Sequence, residues 1–580
     1  MSFLRYFSPL AALLILIGSA QAQNPVIVVP SSASALETLA AREVSRILYA
    51  RTGELPIVTT RGKAASGDSI LIGRKDRILM GQSSEIAALK PQNFLLKTAV
   101  GPKGRKTYHI VGGDDVGVLY GAYRFAEKLG ARFYLHGDVL PDERLATLPA
   151  INETGAPLFP IRGIQPFHDF PEGPDWWNRD DYLAYISQLP KLRMNFIGLH
   201  CYPEGTAGPE PAVWIGQRGD FDAQGRVSFS YPSRWANTAI PARWAYAGMK
   251  TSEFSGGAAA LFEADDFGPD VMRGMLPSPR NLAESNRLFN QTGALLRDAF
   301  SHARALGVKT AIGTETPLII PRQVRERLAQ SGKNPQDPDV VREIYRGIFE
   351  RIARTHPLDY YWLWTPENWI WGGNKPGQFE ATTQDIGLAL EALKANGDPF
   401  PLATSGWVLG PQGDRAALDR FLPPNSPMSS INQFHSHGAL DPALANIVGR
   451  PKWAMPWLEN DRSMTSPQPW VGRLRYDAAD AKRLGATGLI GLHWRTYAIA
   501  PNIAALADAA WDQSYVPATF DTAPIKPHPI PIIGAVGGEN VLGTDPVAGT
   551  TIDPIYQSVR VNMTAYNLEI PNAHYLVTLQ

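Results

Sequence analysis

The chain contains a single cysteine, Cys201, in 580 residues. One cysteine excludes intramolecular disulfides and cysteine-based zinc sites. The expectation for Cys201 is a small buried side chain rather than a nucleophile. Net charge is missing too, since 55 Lys and Arg balance 55 Asp and Glu. A neutral chain lacks the basic footprint of a general nucleic-acid binder, so no nucleic-acid partner is expected. Beyond the N-terminus no apolar run approaches the ~18 residues of a membrane-spanning helix. A P-loop, a dinucleotide fingerprint and a zinc motif are all absent, and no cofactor is expected.

The first residues read differently. Arg5 supplies a positive start, Leu10–Ile17 a short apolar stretch, and Ala20-Gln21-Ala22 a small-x-small cleavage site. This is the pattern of a signal peptide over 1–22, cleaved before Gln23. No cysteine follows that could carry a lipid. The expectation is a periplasmic or secreted protein with no membrane association after cleavage.

What is present is apolar and aromatic. Hydrophobic residues make up 44% of the chain, with 15 Trp, 20 Tyr and 22 Phe. That composition supplies folded cores rather than disorder. The rings serve either packing or stacking on sugar C–H faces, and composition does not choose between them. Turn residues are plentiful, with 52 Gly and 49 Pro. At ~150 residues per domain, three or four domains are expected.

Residues 23–157 read as a small α+β domain. Short strands are expected at Pro25–Val29, Ser69–Ile72, Asn93–Lys97 and Thr107–Val111, with helices at Ala35–Tyr49 and Val116–Leu129. Residues 158–520 then alternate strand and helix eight times. The strands are Ile161–Phe167, Met194–Leu199, Val308–Gly313, Tyr360–Trp364, Leu402–Trp407, Ser430–Phe434, Lys452–Trp457 and Thr487–Leu492. The helices include Asp180–Leu192, Asn281–Leu306, Pro338–Thr355, Thr383–Ala395, Asp414–Phe421, Asp477–Leu484 and Ile503–Asp512. This order is that of an α/β (β/α)8 barrel. An aromatic-rich insertion, 202–280, follows the second strand and is expected to wall one side of a pocket. Residues 521–580 read as a Pro-spaced linker followed by alternating strands.

Barrel chemistry sits at the C-terminal ends of the strands. In order these ends carry His168 and Asp169; His200; Glu315; Trp364 and Glu367; Trp407; His435 and His437; Glu459; and His493, Trp494 and Arg495. Such a collar of polar and aromatic residues fits glycosidic hydrolysis. One carboxylic acid protonates the leaving oxygen, while a second carboxylate attacks or activates water. Glu367 and Glu459, after strands four and seven, face each other across the mouth. They are the expected acid/base and nucleophile of a retaining mechanism. Glu367 is expected to be desolvated among Trp364, Trp369 and Trp371, and Glu459 to lie in a polar setting. Glu315 is a rival for either role. Trp364, Trp407 and Trp494 offer sugar-stacking faces, and His168, Asp169, His200, His435 and His437 offer hydroxyl contacts. Arg162 and Arg495 could pair with a carboxylate on the sugar. A metal held by His435 and His437 lacks a matched third ligand, so no metal is expected.

The segment Gly117–Pro141 (GVLYGAYRFAEKLGARFYLHGDVLP) resembles the small domain that precedes the barrel in family 20 β-hexosaminidases and in family 67 and 115 α-glucuronidases. Residues Ile161–His200 resemble the first two barrel strands of those enzymes. Residues Tyr556–Gln580 resemble the start of a malectin-like carbohydrate-binding sandwich that is cut short. The resemblance implies an exported glycosidase, exo-acting on a uronic acid or amino sugar of an oligosaccharide or polysaccharide. A β-N-acetylhexosaminidase-like enzyme and a non-catalytic carbohydrate binder are the alternatives. The sequence departs from family 20 at strand four, where Pro366 stands before Glu367 in place of an acidic pair. That departure argues against catalysis by a neighbouring acetamide.

Overall fold

The computed structural model describes residues 25–60, 67–167, 173–203, 209–235, 279–371, 373–431, 439–460, 468–516 and four short strands between 534 and 567. These residues divide into two compact units. The first runs to Ala131 and adds Leu140–Thr154; the second holds Arg132–Val139 and everything from Gly155 onward.

The first unit is a six-stranded sheet built from β1 (Val26–Val28), β2 (Val58–Thr59), β3 (Ser69–Arg74), β4 (Phe94–Val100) and β5 (Lys106–Gly112), with a short edge strand at Asn152–Gly155. The order is β2-β1-β3-β5-β4-edge, with β4 antiparallel to β5. Two helices, α1 (Ala35–Thr52) and α2 (Asp115–Lys128), pack against each other. Ser34 starts α1 with a capping box: its hydroxyl accepts the Glu37 N–H, and the Glu37 carboxylate accepts the Ser34 N–H at 2.7 Å. Each bond satisfies a donor the helix end would otherwise strand.

The second unit opens with a hairpin of β6 (Arg132–Tyr134) and β7 (Gly137–Val139). It then forms a closed barrel of eight parallel strands: β8 (Ile161–Pro166), β9 (Phe196–Cys201), β10 (Lys309–Glu315), β11 (Tyr360–Trp364), β12 (Leu402–Ser405), β13 (Met428–Ile431), β14 (Lys452–Met455) and β15 (Gly488–His493). Each strand pairs with the next, and β15 closes on β8 from Gly488↔Ile161 to His493↔Pro166. The intervening helices include α3 (Arg179–Lys191), α4 (Leu282–Ala305), α5 (Pro338–Thr355), α6 (Gln378–Ala395), α7 (Val471–Arg483) and α8 (Ala500–Ala509). The expected (β/α)8 architecture is therefore present.

The differences are local. The second strand runs two residues later than expected, so His200 lies inside it. The sixth starts two residues earlier, at Met428. The segment expected as a helix over Asp414–Phe421 is a short 3-10 turn at Ala417–Arg420. Past residue 516, Gly534–Val536 pairs antiparallel with Ala565–Asn567, and Glu539–Leu542 with Ser558–Val561. The signal peptide, most of the 202–280 insertion and most of the malectin-like segment lie outside the described residues.

Parallel strands covered by helices are buried on both faces, which is why they read as near-continuous apolar runs. Their inward rows are unusually bulky, including Trp362, Trp364, Trp453 and Trp457. Glycine makes the room. A Cβ on Gly198 would lie 2.2 Å from Cη2 of Trp362, and one on Gly488 would lie 2.3 Å from Cδ1 of Trp453. The interior is thus a packed core of indoles fitted against bare backbone.

Candidate active site

Glu315 is the last residue of β10, and its register partner on β11 is Trp364, the last residue of that strand. Both therefore stand at the C-terminal mouth. A quarter of the Glu315 side chain is exposed. Burial, the negative charge of Glu367 and that of Glu210 together push its carboxyl up from 4.5 to about 7. Oε1 of Glu315 lies 4.0 Å from Nε2 of His200. The loop that leaves Glu315 is anchored from below: Oδ2 of Asp385 on α6 accepts the hydroxyls of Thr316 (2.6 Å) and Tyr345 (2.7 Å) and the N–H of Leu318 (3.1 Å). A buried carboxylate with three donors is a rigid mount for the strand end.

Aromatic rings line the mouth. The His200 ring packs on Trp364 at 4.3 Å between centroids and meets Tyr202 edge-on at 4.6 Å. Phe167 contacts His200, Tyr202, Trp364 and Trp494 at 5.4–5.9 Å. Trp457 bridges Trp494 and Trp407, each at 5.2 Å. Tyr202 and Trp407 are half-buried, the least covered rings of this set. Aromatic rings beside a carboxyl are the kind of surface that sugar C–H groups stack on.

The carboxylate environments are the reverse of those expected from the sequence. Glu367 is exposed, at the start of a one-turn helix over Asn368–Trp371, rather than desolvated among tryptophans. Glu459 is fully buried rather than set among polar, wet groups. Its Oε1 accepts the N–H groups of Trp494 and Arg495, both at 2.7 Å, and its Oε2 accepts Nε of Arg495 at 2.6 Å. Burial raises this carboxyl, against the three donors that pull it down. The pair fixes the turn that follows β15.

Arg162 is also misplaced by the sequence reading. It is the second residue of β8, at the opposite, N-terminal end of the barrel. Fully buried, it donates to the carbonyls of Arg193 (2.9 Å), Phe159 (2.7 Å) and Pro160 (3.2 Å). Its guanidinium lies 5.0 Å over the Trp511 ring. It ties the barrel floor together, 0% exposed and beyond any sugar's reach. His168, Asp169, His435 and His437 lie outside the described residues. Among the described residues no group of three His, Cys, Asp or Glu is arranged to hold a metal. Cys201 is buried, its thiol pushed well up by burial and by Glu210, and so inert.

Sequence reasoning passed over Glu210 and Gln165. Glu210 sits in a Pro- and Gly-rich loop without periodicity. Gln165 lies one position short of the end of β8, fully buried inside the barrel. Neither its amide N nor O has a partner among the described residues. A polar residue on the same strand face as Ile161, Gly163 and Phe167 was the available signal for Gln165.

Residues 17–125 match the family model for the glycosyl hydrolase family 67 N-terminus. The resemblance of the first domain to that of family 67 is thereby borne out. No curated protein matches the chain. Among solved structures, a GH138 enzyme targeting pectin rhamnogalacturonan II is similar at 11% identity and TM-score 0.49, over 85% of this chain and 51% of that one. A family GH115 4-O-methyl-α-glucuronidase with specificity for decorated arabinogalactans is similar at 13% identity and TM-score 0.46, over 85% of this chain and 57% of that one. A β-N-acetylhexosaminidase from Bacteroides fragilis is similar at 13% identity and TM-score 0.46, over 86% and 89%. The chain thus spans little more than half the length of the first two.

Proposed function

We propose that this chain is a glycoside hydrolase in which Glu315 is the general acid and Glu367 the partner carboxylate. The observation that carries the reading is the pair itself: two carboxyls at the barrel mouth, coupled by charge, one half-buried and holding its proton to about 7, the other exposed. Two carboxyls in unlike environments are the requirement for splitting a glycosidic bond at neutral pH. Glu315 delivers its proton to the leaving oxygen as the C1–O bond breaks. Glu367 either attacks C1 or takes the proton of the attacking water. The anomer released first, read by proton NMR, tells which: a retained configuration means attack by the carboxylate, an inverted one attack by water. Glu459, with both oxygens engaged and no exposure, holds Trp494 and Arg495 in place instead of attacking the sugar.

The match of the first domain to the family 67 N-terminus supports the same class and directs the first substrates to uronides. Its resemblance to the family 20 domain adds N-acetylhexosaminides. Export and action on chain ends complete the reading. The test is a panel of aryl glycosides and defined oligosaccharides with the wild-type protein and with Glu367→Gln. Turnover that falls at least ~100-fold in the variant while sugar binding persists is expected. Undiminished turnover would overturn the reading, and a rapid viscosity drop on a long polymer would rule out chain-end action.

A further inference from the structure

Away from the two carboxyls, exposed rings gather on the rim of the same unit. Tyr497 is 68% exposed, on the loop that leaves β15, three residues after Trp494. Trp176 is 40% exposed, on the turn that follows β8. The two loops touch: a Cβ on Gly173 would lie 1.8 Å from the carbonyl oxygen of Trp494. Both therefore stand at the mouth, beside the Trp494 ring. Tyr497 is held in place from two sides. Its ring lies 5.1 Å from that of His136, which stacks on Tyr134 at 5.8 Å and 14°. A hydrogen bond links its hydroxyl to that of Tyr185 on α3. Tyr185 in turn stacks on the buried Trp177 at 4.3 Å and 26°. His136 itself is exposed, in the turn between β6 and β7.

We propose that this rim strip, with Tyr497 at its centre and His136 and Trp176 to its sides, is a stacking site for the remote part of a glycan chain, outside the reaction pocket. The inference rests on the reading of this chain as a glycoside hydrolase acting on chain ends: the sugars beyond the cleaved unit lie outside the mouth and need a surface. Exposed rings scattered singly carry no such meaning. These come from three separate stretches of chain and are joined by the Trp177–Tyr185 stack and the His136–Tyr497 contact. Because Tyr497 is already fixed, little side-chain freedom is lost when a sugar settles on it. The occupant follows from size. A ring buries at most ~150–250 Å², and three that are already part-covered fall short of the ~800 Å² a side of a standard protein interface. They match the flat C–H faces of a few sugar units. Contacts to remote sugars are the same before and during bond breaking, so they act on KM for a polymer rather than on kcat.

The test uses the full chain, with a soluble uronic-acid-bearing polysaccharide and a soluble N-acetylhexosamine polymer as probes. Retardation in native gels containing each polymer reads binding. KM and kcat on the polymer, and on a short aryl glycoside of the same sugar, read its consequence. Tyr497→Ala should lose most of the wild-type retardation and raise KM on the polymer roughly tenfold, with kcat and the aryl glycoside unchanged. Tyr497→Phe keeps the ring and should keep the retardation. Retardation and polymer KM that Tyr497→Ala leaves unmoved overturn the inference, as does a wild type retarded by neither polymer. So does an equal loss on the short glycoside, which makes the ring part of the reaction pocket, or an equal loss in Tyr497→Phe, which makes the hydroxyl's bond to Tyr185 the cause. A wild type that cleaves no glycoside, yet shows retardation that Tyr497→Ala abolishes, is a failure of the reading of the reaction centre and leaves the stacking site standing.

Discussion

Glu315 and Arg162 are both residues of barrel strands, and their opposite fates follow from where each strand places them. Glu315 closes its strand at the mouth; Arg162 opens its own at the floor. A strand rises ~3.3 Å per residue, so four positions separate Arg162 from Pro166, the mouth-side end of its strand, by ~13 Å. At Glu315 the folded chain holds a proton up to about 7, whereas the unfolded chain releases it near 4.5. Between those values the folded state binds more protons. Stability contributed by this group is therefore full below about 4.5 and is lost as pH rises through about 7. Urea midpoints measured at pH 5 and pH 8 should show this loss, and Glu315→Gln should flatten it; an unchanged slope would mean Glu315 titrates normally. For Arg162, replacement by Met strands the carbonyls it serves and should cost on the order of 3 kcal/mol in urea unfolding. The folded fraction should keep its KM. A raised KM with unchanged stability would place Arg162 at the substrate after all.

Among the elements, the barrel strands were legible because burial on both faces leaves a run of apolar residues that no loop imitates. The floor-to-ceiling use of tryptophan was visible as composition only. Its meaning comes from glycines on other strands: Gly198 faces Trp362 from two strands away, and Gly488 faces Trp453 from the next strand. Gly198→Ala should therefore destabilise by ~1–3 kcal/mol, because the new Cβ would meet Trp362 at 2.2 Å inside a closed barrel. Thermal unfolding measures it, and a neutral result would show that the indole can move aside. The same distinction explains the site. Glu315 could be named from its strand, but its elevated carboxyl depends first on burial and then on the charges of Glu367 and Glu210. Those two come from other stretches of the chain, and no periodicity links them. Glu459 was named from the sequence as the carboxylate after the seventh strand, and it lies four residues past Met455, the last residue of β14. That Trp494 and Arg495 consume its oxygens is a consequence of β14 and β15 being neighbours.

For the whole molecule, the boundary between units is not a single cut. The β6–β7 hairpin precedes the last stretch of the first unit in sequence but belongs with the barrel. Asp138 on β7 explains why. It takes Nζ of Lys191 at 2.9 and 3.0 Å and Nε2 of Gln188 at 3.0 Å, both on α3. Gln188 also donates to the carbonyl of Tyr134 at 2.9 Å. A fragment beginning at Gly155 leaves those donors on α3 without acceptors; one beginning at Arg132 keeps them. The longer fragment should unfold at higher temperature, and equal melting points would show that the hairpin contributes nothing to the barrel. One chemical assignment is central to the site: Glu315 gives its proton to the leaving oxygen. The direct measurement is kcat/KM of Glu315→Gln on aryl glycosides of one sugar with graded leaving groups. A general acid matters most where the leaving oxygen is most basic. Activity on poor leaving groups is expected to fall by ~100-fold or more, while activity on the most activated aryl glycoside is nearly kept. An equal loss across the series, or none, would contradict it.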